Sequence, residues 1–279
     1  MKVNTFIVGA PKAGTTSLHH YLNQHTQVSM SSIKEPDFFS CREVSSLFYN
    51  SKSIQNSKDY EKLFDETKPI LGEASVSYLF YQDVPKRIKD YNKDAKIIIM
   101  LRQPIERAFS HYLMDSRLGY CHLEFDHIFK CQEKYPQFFQ QYFELGLYHD
   151  QVKRYITAFG KENVKILFYD DFKKDTSLVM KEVFDFLNVD NLSLNYSIQN
   201  PFVLPSNTLV AFLYKFDWLR KSFNIIFTKQ NIKRIKKLVF SKKEKPKVSE
   251  HMSTVLKDYY LEDIGKLESL LKTDLSHWK

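Results

Sequence analysis

The run Lys96-Ile97-Ile98-Ile99-Met100-Leu101 constrains the fold of this chain more than any other segment. Its apolar residues are consecutive rather than alternating, the pattern of a strand buried on both faces in a parallel sheet. Parallel strands need crossover connections, and helices supply them. Thr5-Phe6-Ile7-Val8 is a second short apolar run, ended by Gly9 and followed by a helix-like segment from Thr16 to about Gln24. Val164 to Tyr169 reads as a third strand, closed by Asp170-Asp171, with a helix from Ser177 to Leu187 after it. Gly72-Glu73-Ala74-Ser75 marks the end of a further strand. Pro104 opens a helix that carries Glu106, Arg107, Ser110 and Tyr112, since proline suits the first helical turn. Strands alternating with helices predict an α/β fold, a central parallel sheet flanked by helices in three layers. The 279 residues are expected to form one domain over 1–279, with a helical, aromatic insertion at about 122–160 and a basic segment at about 223–247.

Gly9-Ala10-Pro11-Lys12-Ala13-Gly14-Thr15-Thr16-Ser17 lies between the first strand and its helix. Its glycines have the spacing of the nucleotide-phosphate loop G-x-x-x-x-G-K-[ST], which makes the predicted sheet P-loop-like. Such a loop turns backbone amides toward one point, and the helix beginning near Thr15 adds its positive end. The departure from the pattern is as informative. A nucleoside-triphosphate loop has Lys directly after the second Gly, then Ser or Thr for Mg²⁺. Here that position is Thr15, and the only lysine, Lys12, lies inside the loop. This suits a shorter anion with no third phosphate and no bound metal.

A second anion site is expected at Arg102, where the 96–101 strand ends, with Ser110 eight residues on. Ligands of open α/β sheets bind beyond the carboxyl ends of the strands. A guanidinium and a hydroxyl converging there can hold a phosphate, although Arg102 can equally form an ion pair with Glu106.

Together these segments resemble the sulfotransferases that use 3′-phosphoadenosine 5′-phosphosulfate (PAPS), above all the heparan-sulfate-type carbohydrate branch and its bacterial members. Pro11 to Leu18 resembles the family's 5′-phosphosulfate loop, and Lys96 to Ser110 its 3′-phosphate motif. Lys34-Glu35-Pro36-Asp37-Phe38-Phe39 resembles the segment with the catalytic acid, Phe168 to Phe172 the tyrosine–acid motif near the adenine, and Asp274 to Trp278 the closing motif of bacterial members. The resemblance implies sulfuryl transfer from PAPS, without metal, to a carbohydrate or other small acceptor. It implies Lys12 and Glu35 as catalytic residues. Lys12, Ala13, Gly14, Thr15, Thr16, Ser17, Arg102, Ser110 and Tyr169 are implied for cosubstrate binding. His19, His20 and His111 are rival bases, and Glu73 is expected to orient Lys12 or an acceptor group. Several glycosaminoglycan enzymes carry lysine where this chain has Ala74, so their acceptor chemistry is not carried over. No K-G-R-type loop follows residue 195, and the basic stretch Lys242 to Lys247 is the candidate substitute.

Forty-one Lys and Arg against 33 Asp and Glu leave a formal charge of +8, which favours anionic partners. Cys41, Cys121 and Cys131 have no CxxC spacing, arguing against a structural zinc site or a disulfide framework. With no signal-peptide pattern and no long apolar run, a cytoplasmic setting is expected. Ile232, Ile235, Leu238 and Val239 are spaced helically among lysines, so the segment 229–247 suits peripheral contact with an anionic membrane or a wall for a polyanionic glycan. No nucleic-acid motif accompanies it. Two other functions fit parts of the pattern: a small-molecule kinase using ATP-Mg, and a non-catalytic module for anionic glycans.

Overall fold

The computed structural model describes residues 2–49, 53–196, 204–205, 215, 240–241 and 246–279. Five parallel strands form one sheet in the order β2-β3-β1-β4-β5: β1 (Thr5–Gly9), β2 (Val28–Met30), β3 (Ile70–Ala74), β4 (Lys96–Leu101) and β5 (Val164–Phe168). All of β1, and β4 from Ile97 to Leu101, are buried, as their continuous apolar runs require. The sequence missed β2, which is three residues long and has Ser29 at its centre. Leu204–Pro205 and Phe240–Ser241 form a separate antiparallel pair, β6 and β7. The rest of the basic segment, apart from Pro246 and Lys247, lies outside the described residues, so the roles suggested for Lys242 to Lys247 and for the 229–247 helix lie largely outside them too.

Helices cover both faces. On one side α1 (Thr15–Leu22), α9 (Tyr169–Lys174) and α10 (Thr176–Leu187) join through the Tyr21–Phe172 and His25–Phe184 ring contacts. The Asp175 side chain caps α10 by accepting the Leu178 amide at 2.9 Å. Another layer contains α4 (Val84–Tyr91) and α8 (Tyr148–Phe159), with α5 (Pro104–Leu118) and the long α11 (Glu250–Leu271) packed beyond them. Short helices α2 (Cys41–Ser45) and α3 (Ser57–Glu61) fill the β2–β3 connection, and α6 (Phe125–Lys130) and α7 (Pro136–Tyr142) follow α5. The expected insertion at 122–160 is therefore two things. Its first half, α6 and α7, stacks Phe125, Phe129, Phe139 and Phe143 against one another. Its second half, α8, is a sheet helix in contact with β4 and β5, reached because a parallel β4–β5 pair demands a crossover.

Gln103 caps α5, its side-chain oxygen accepting the Glu106 amide at 2.7 Å ahead of Pro104 in the first turn. That fixes where β4 stops and where Arg102 projects. The chain's end returns to the same place: Trp278 is 1% exposed and packs on Phe168 and Tyr148. The Tyr148 hydroxyl in turn donates to the Arg102 carbonyl at 2.9 Å.

Ile99, fully buried at the centre of β4, is the position where truncation is felt most directly. Ile99→Ala is expected to lower unfolding free energy by about 2–5 kcal/mol, read as a lower urea midpoint.

Candidate active site

Register sets the site. Ile7 is level with Ala74 on one side and Ile98 on the other, and Leu101 with Phe168, so the carboxyl ends of β3, β1, β4 and β5 lie side by side. The residues that follow each strand meet there, as open α/β sheets arrange their ligand sites.

The loop after β1 begins with the Ala10 amide donating to the Met100 carbonyl at 2.7 Å, which ties it to β4. Lys12 (φ 65°) and Gly14 (φ 94°) are both left-handed. The Ser17 and Leu18 amides turn back to the Gly14 carbonyl at 2.9 and 3.2 Å. The amides of Lys12, Gly14, Thr15 and Thr16 find no acceptor among the described residues and open onto the start of α1. This is the donor set an anion needs. Gly14 is required on two counts. A side chain there would be strained at this φ, and its Cβ would sit 3.1 Å from the Tyr169 ring and 3.3 Å from Met100 Sδ.

Arg102 bridges the parts. Its guanidinium donates to the Lys12 carbonyl at 3.1 Å, pairs with Glu106 at 2.7 Å and lies 4.6 Å from the centre of the Tyr169 ring. The Glu106 pair and the loop contact thus coexist. Ser110 is one turn beyond Glu106 on α5 and is half-buried. Arg107 faces away from this cluster: fully buried, it donates to the carbonyls of Gln141 and Tyr142.

Lys12 is held with little electrostatic compensation. The only hydrogen-bond partner of its ammonium among the described residues is Met114 Sδ at 3.2 Å, a weak acceptor. Burial first, then repulsion from Arg117, pulls its pKa down to about 8, against the pull of Asp115 and Glu35. A cation held with so little compensation is suited to meet an anion.

A family model, the sulfotransferase domain, matches residues 2–268. The chain belongs to the sulfotransferase family. Mouse (Mus musculus) carbohydrate sulfotransferase 15 is 26% identical over 246 residues, covering 67% of this chain and 44% of that protein. The membrane-associated sulfotransferase kil1 of Dictyostelium discoideum is 32% identical over 109 residues, or 39% of this chain and 22% of that one. The chain thus spans less than half the length of these curated relatives. A crystal structure of a sulfotransferase from Alicyclobacillus acidocaldarius superposes with a TM-score of 0.76 at 29% identity, covering 100% of this chain and 99% of that one.

In this sulfotransferase the segment after β2 approaches the loop from the other side. The Glu35 amide donates to the Ala74 carbonyl at 2.9 Å, which seats the segment on the end of β3. Its carboxylate is 43% exposed, closely paired with Lys34, and its charge reaches Lys12. Two residues on, Asp37 is buried and accepts the Ser77 hydroxyl at 2.6 Å, and burial raises its pKa to about 7. The histidines are placed differently. The His19 ring meets the Ser31 carbonyl at 3.3 Å, and burial with Lys34 nearby lowers its pKa to about 4. His20 is exposed. His111 is 4% exposed, its ring nitrogens 2.9 Å from the Tyr49 hydroxyl and 3.0 Å from the Gln141 carbonyl, and burial pushes its pKa well down.

Glu73 does not orient Lys12. It is fully buried beside the Tyr60 and Tyr78 hydroxyls, both its oxygens lack a hydrogen bond among the described residues, and the nearest acidic charge is Asp37. Burial raises its pKa to about 8. Tyr148 is a core residue. Sequence reasoning missed Tyr49 and Asp115, whose 2.6 Å bond joins residues 66 apart in the chain. It also missed Arg117, although that residue's spacing of two turns from Ser110 was there to read.

Gly14→Ala is expected to cost about 1–3 kcal/mol of stability through its left-handed backbone alone, measured by urea unfolding. Glu73 binds its proton more tightly folded than unfolded, so stability contributed by the protonated form is expected to fall as pH rises from about 4.5 to about 8. Urea midpoints at pH 5 and pH 8 should converge in Glu73→Gln relative to the unsubstituted protein.

Proposed function

We propose that the protein transfers a sulfuryl group from PAPS to a hydroxyl or amine of a carbohydrate or other small acceptor. One observation carries this reading: among the described residues the Lys12 ammonium has only a thioether partner, and it stands in a loop whose amides at Lys12, Gly14, Thr15 and Thr16 are unspent. These donors fit a 5′-phosphosulfate. Tyr169, against Gly14 and Arg102, supplies a ring for the adenine end, and Arg102 with Ser110 supplies donors for a 3′-phosphate. The carbohydrate class is supported by the name of the mouse relative, and it suits the net charge of +8.

Sulfuryl transfer is an in-line displacement in which positioning and charge stabilisation do most of the work. The acceptor's lone pair forms the new bond to sulfur as the bond from sulfur to the bridging oxygen breaks. The electron pair stays on that oxygen, and the 5′-phosphate departs. Lys12 neutralises this growing charge, the loop amides hold the phosphate, and Glu35 accepts the acceptor's proton. Of the histidines, His111 is enclosed and neutral, which leaves it poorly suited to that last role. The absence of Lys after Gly14 works against the kinase reading.

Calorimetric titration without metal is expected to show tight binding of adenosine 3′,5′-bisphosphate, weakened in both Lys12→Ala and Arg102→Ala. With PAPS and an acceptor identified from a glycan screen, Lys12→Ala should lower turnover by ~10²–10³. Binding of ATP-Mg alone would overturn the proposal.

A further inference from the structure

Lys12 meets α5 at Met114, and the next residue on that helix is the most confined acid near the site. Asp115 is fully buried. Its Oδ2 accepts the Tyr49 hydroxyl at 2.6 Å and the Tyr142 hydroxyl at 2.9 Å, while Oδ1 has no hydrogen-bond partner among the described residues. Tyr49 also meets the His111 ring at 2.9 Å, so a chain of polar groups from α7, the α2–α3 connection and α5 fixes the carboxyl in one orientation. An acceptor left over in a sealed site is costly unless a positive charge lies near it.

The charges facing Lys12 come from three elements. Arg117 and Asp115 project from α5, Glu35 from the segment after β2, and Arg102 from the end of β4. Two of these are cations and repel it. Of the two anions, Glu35 is half-exposed and already paired with Lys34, so water and that lysine screen its charge. Asp115 has no Lys or Arg bonded to it among the described residues; the His111 ring, with Nε2 3.9 Å from Oδ2, is neutral at ordinary pH, as are Tyr49 and Tyr142. Its field therefore reaches Lys12 through a medium of low polarisability.

We propose that Asp115 is a positioning residue: its carboxylate, anchored through Oδ2 by Tyr49 and Tyr142 and next in the chain to the Met114 that touches Lys12, keeps Lys12 charged at the phosphate loop. This rests on the reading of Lys12 as a ligand of the PAPS phosphosulfate. Asp115 makes no contact with the reacting atoms and acts through Lys12. Burial raises its own pKa to about 6 and lowers that of Lys12 to about 8, so both are ionised in the window between. Anion binding needs the charged ammonium and weakens as pH climbs through the upper limit of that window.

The test is calorimetric binding of adenosine 3′,5′-bisphosphate from pH 6.5 to 9.5. Affinity in the unsubstituted protein is expected to fall with a midpoint near pH 8. Asp115→Asn keeps an oxygen for the two tyrosines but removes the charge, and its midpoint should drop by about one pH unit. An unchanged midpoint in a variant that melts like the parent overturns the proposal. Should Asp115→Asn fail to fold, the unsubstituted protein decides. With lysine ε-carbons labelled by ¹³C and Lys12 assigned by its loss in Lys12→Arg, the Lys12 signal should show a second inflection near pH 6 as Asp115 ionises. A single inflection overturns the proposal. Absence of bisphosphate binding at every pH instead counts against the sulfotransferase reading, and the Lys12 titration still decides the role of Asp115.

Discussion

The hydrogen bond from Arg102 to the Lys12 carbonyl, 3.1 Å long, joins the two halves of the site. It reaches from the end of β4 to the loop after β1, and so it depends on those strands being neighbours in register. Because the same guanidinium lies on Tyr169, which packs against Gly14, one side chain holds three strand ends in a fixed relation. Lys12 is then left-handed with its carbonyl committed, and its ammonium is directed to α5 and not to water. The unspent amides beyond it follow from the same turn. Loop geometry and electrostatics here have one cause.

Compensation for buried charge is uneven across the molecule. Arg107 does meet carbonyl acceptors, those of Gln141 and Tyr142, although its Nε has no partner among the described residues. Lys12, Glu73 and Asp115 do not, and each has its pKa displaced in the direction that burial dictates. Glu73 and Asp37 form one acidic region beneath the end of β3, and Asp115 another beneath α5, with Lys12 close to the second. Groups poised in this way gather where binding or proton transfer is performed. Only the ones next to Lys12 bear on the phosphate loop.

Much of the framework was legible in the residues. Consecutive apolar positions at Ile97 to Leu101 marked a doubly buried strand, and proline at 104 marked the helix start, while the Gln103 cap ahead of it appeared only in the structure. The glycine spacing around Gly9 and Gly14 marked a tight loop at the head of α1, and the structure has that loop with Gly14 left-handed, because glycine spacing encodes backbone geometry directly. Short-range patterns failed where packing decided. β2 was too short and too polar at Ser29 to stand out, and α8 was taken as part of an insertion because helical periodicity says nothing of which sheet a helix covers.

The site divides along the same line. By itself the sequence determined which groups are candidate donors, Lys12, Arg102, Ser110 and the loop amides, since their spacing is local and each carries its backbone or charge everywhere. Only the tertiary structure decided their states. Whether Arg102 spends itself on Glu106 or also on the loop, and whether Glu73 faces Lys12 or two tyrosines, depends on contacts between residues far apart in the chain. The charge on Lys12 likewise depends on burial and on Arg117 and Asp115 of α5, and Asp115 is bonded to Tyr49, 66 residues away. Burial and field are properties of a packed neighbourhood, and no single stretch of sequence contains one.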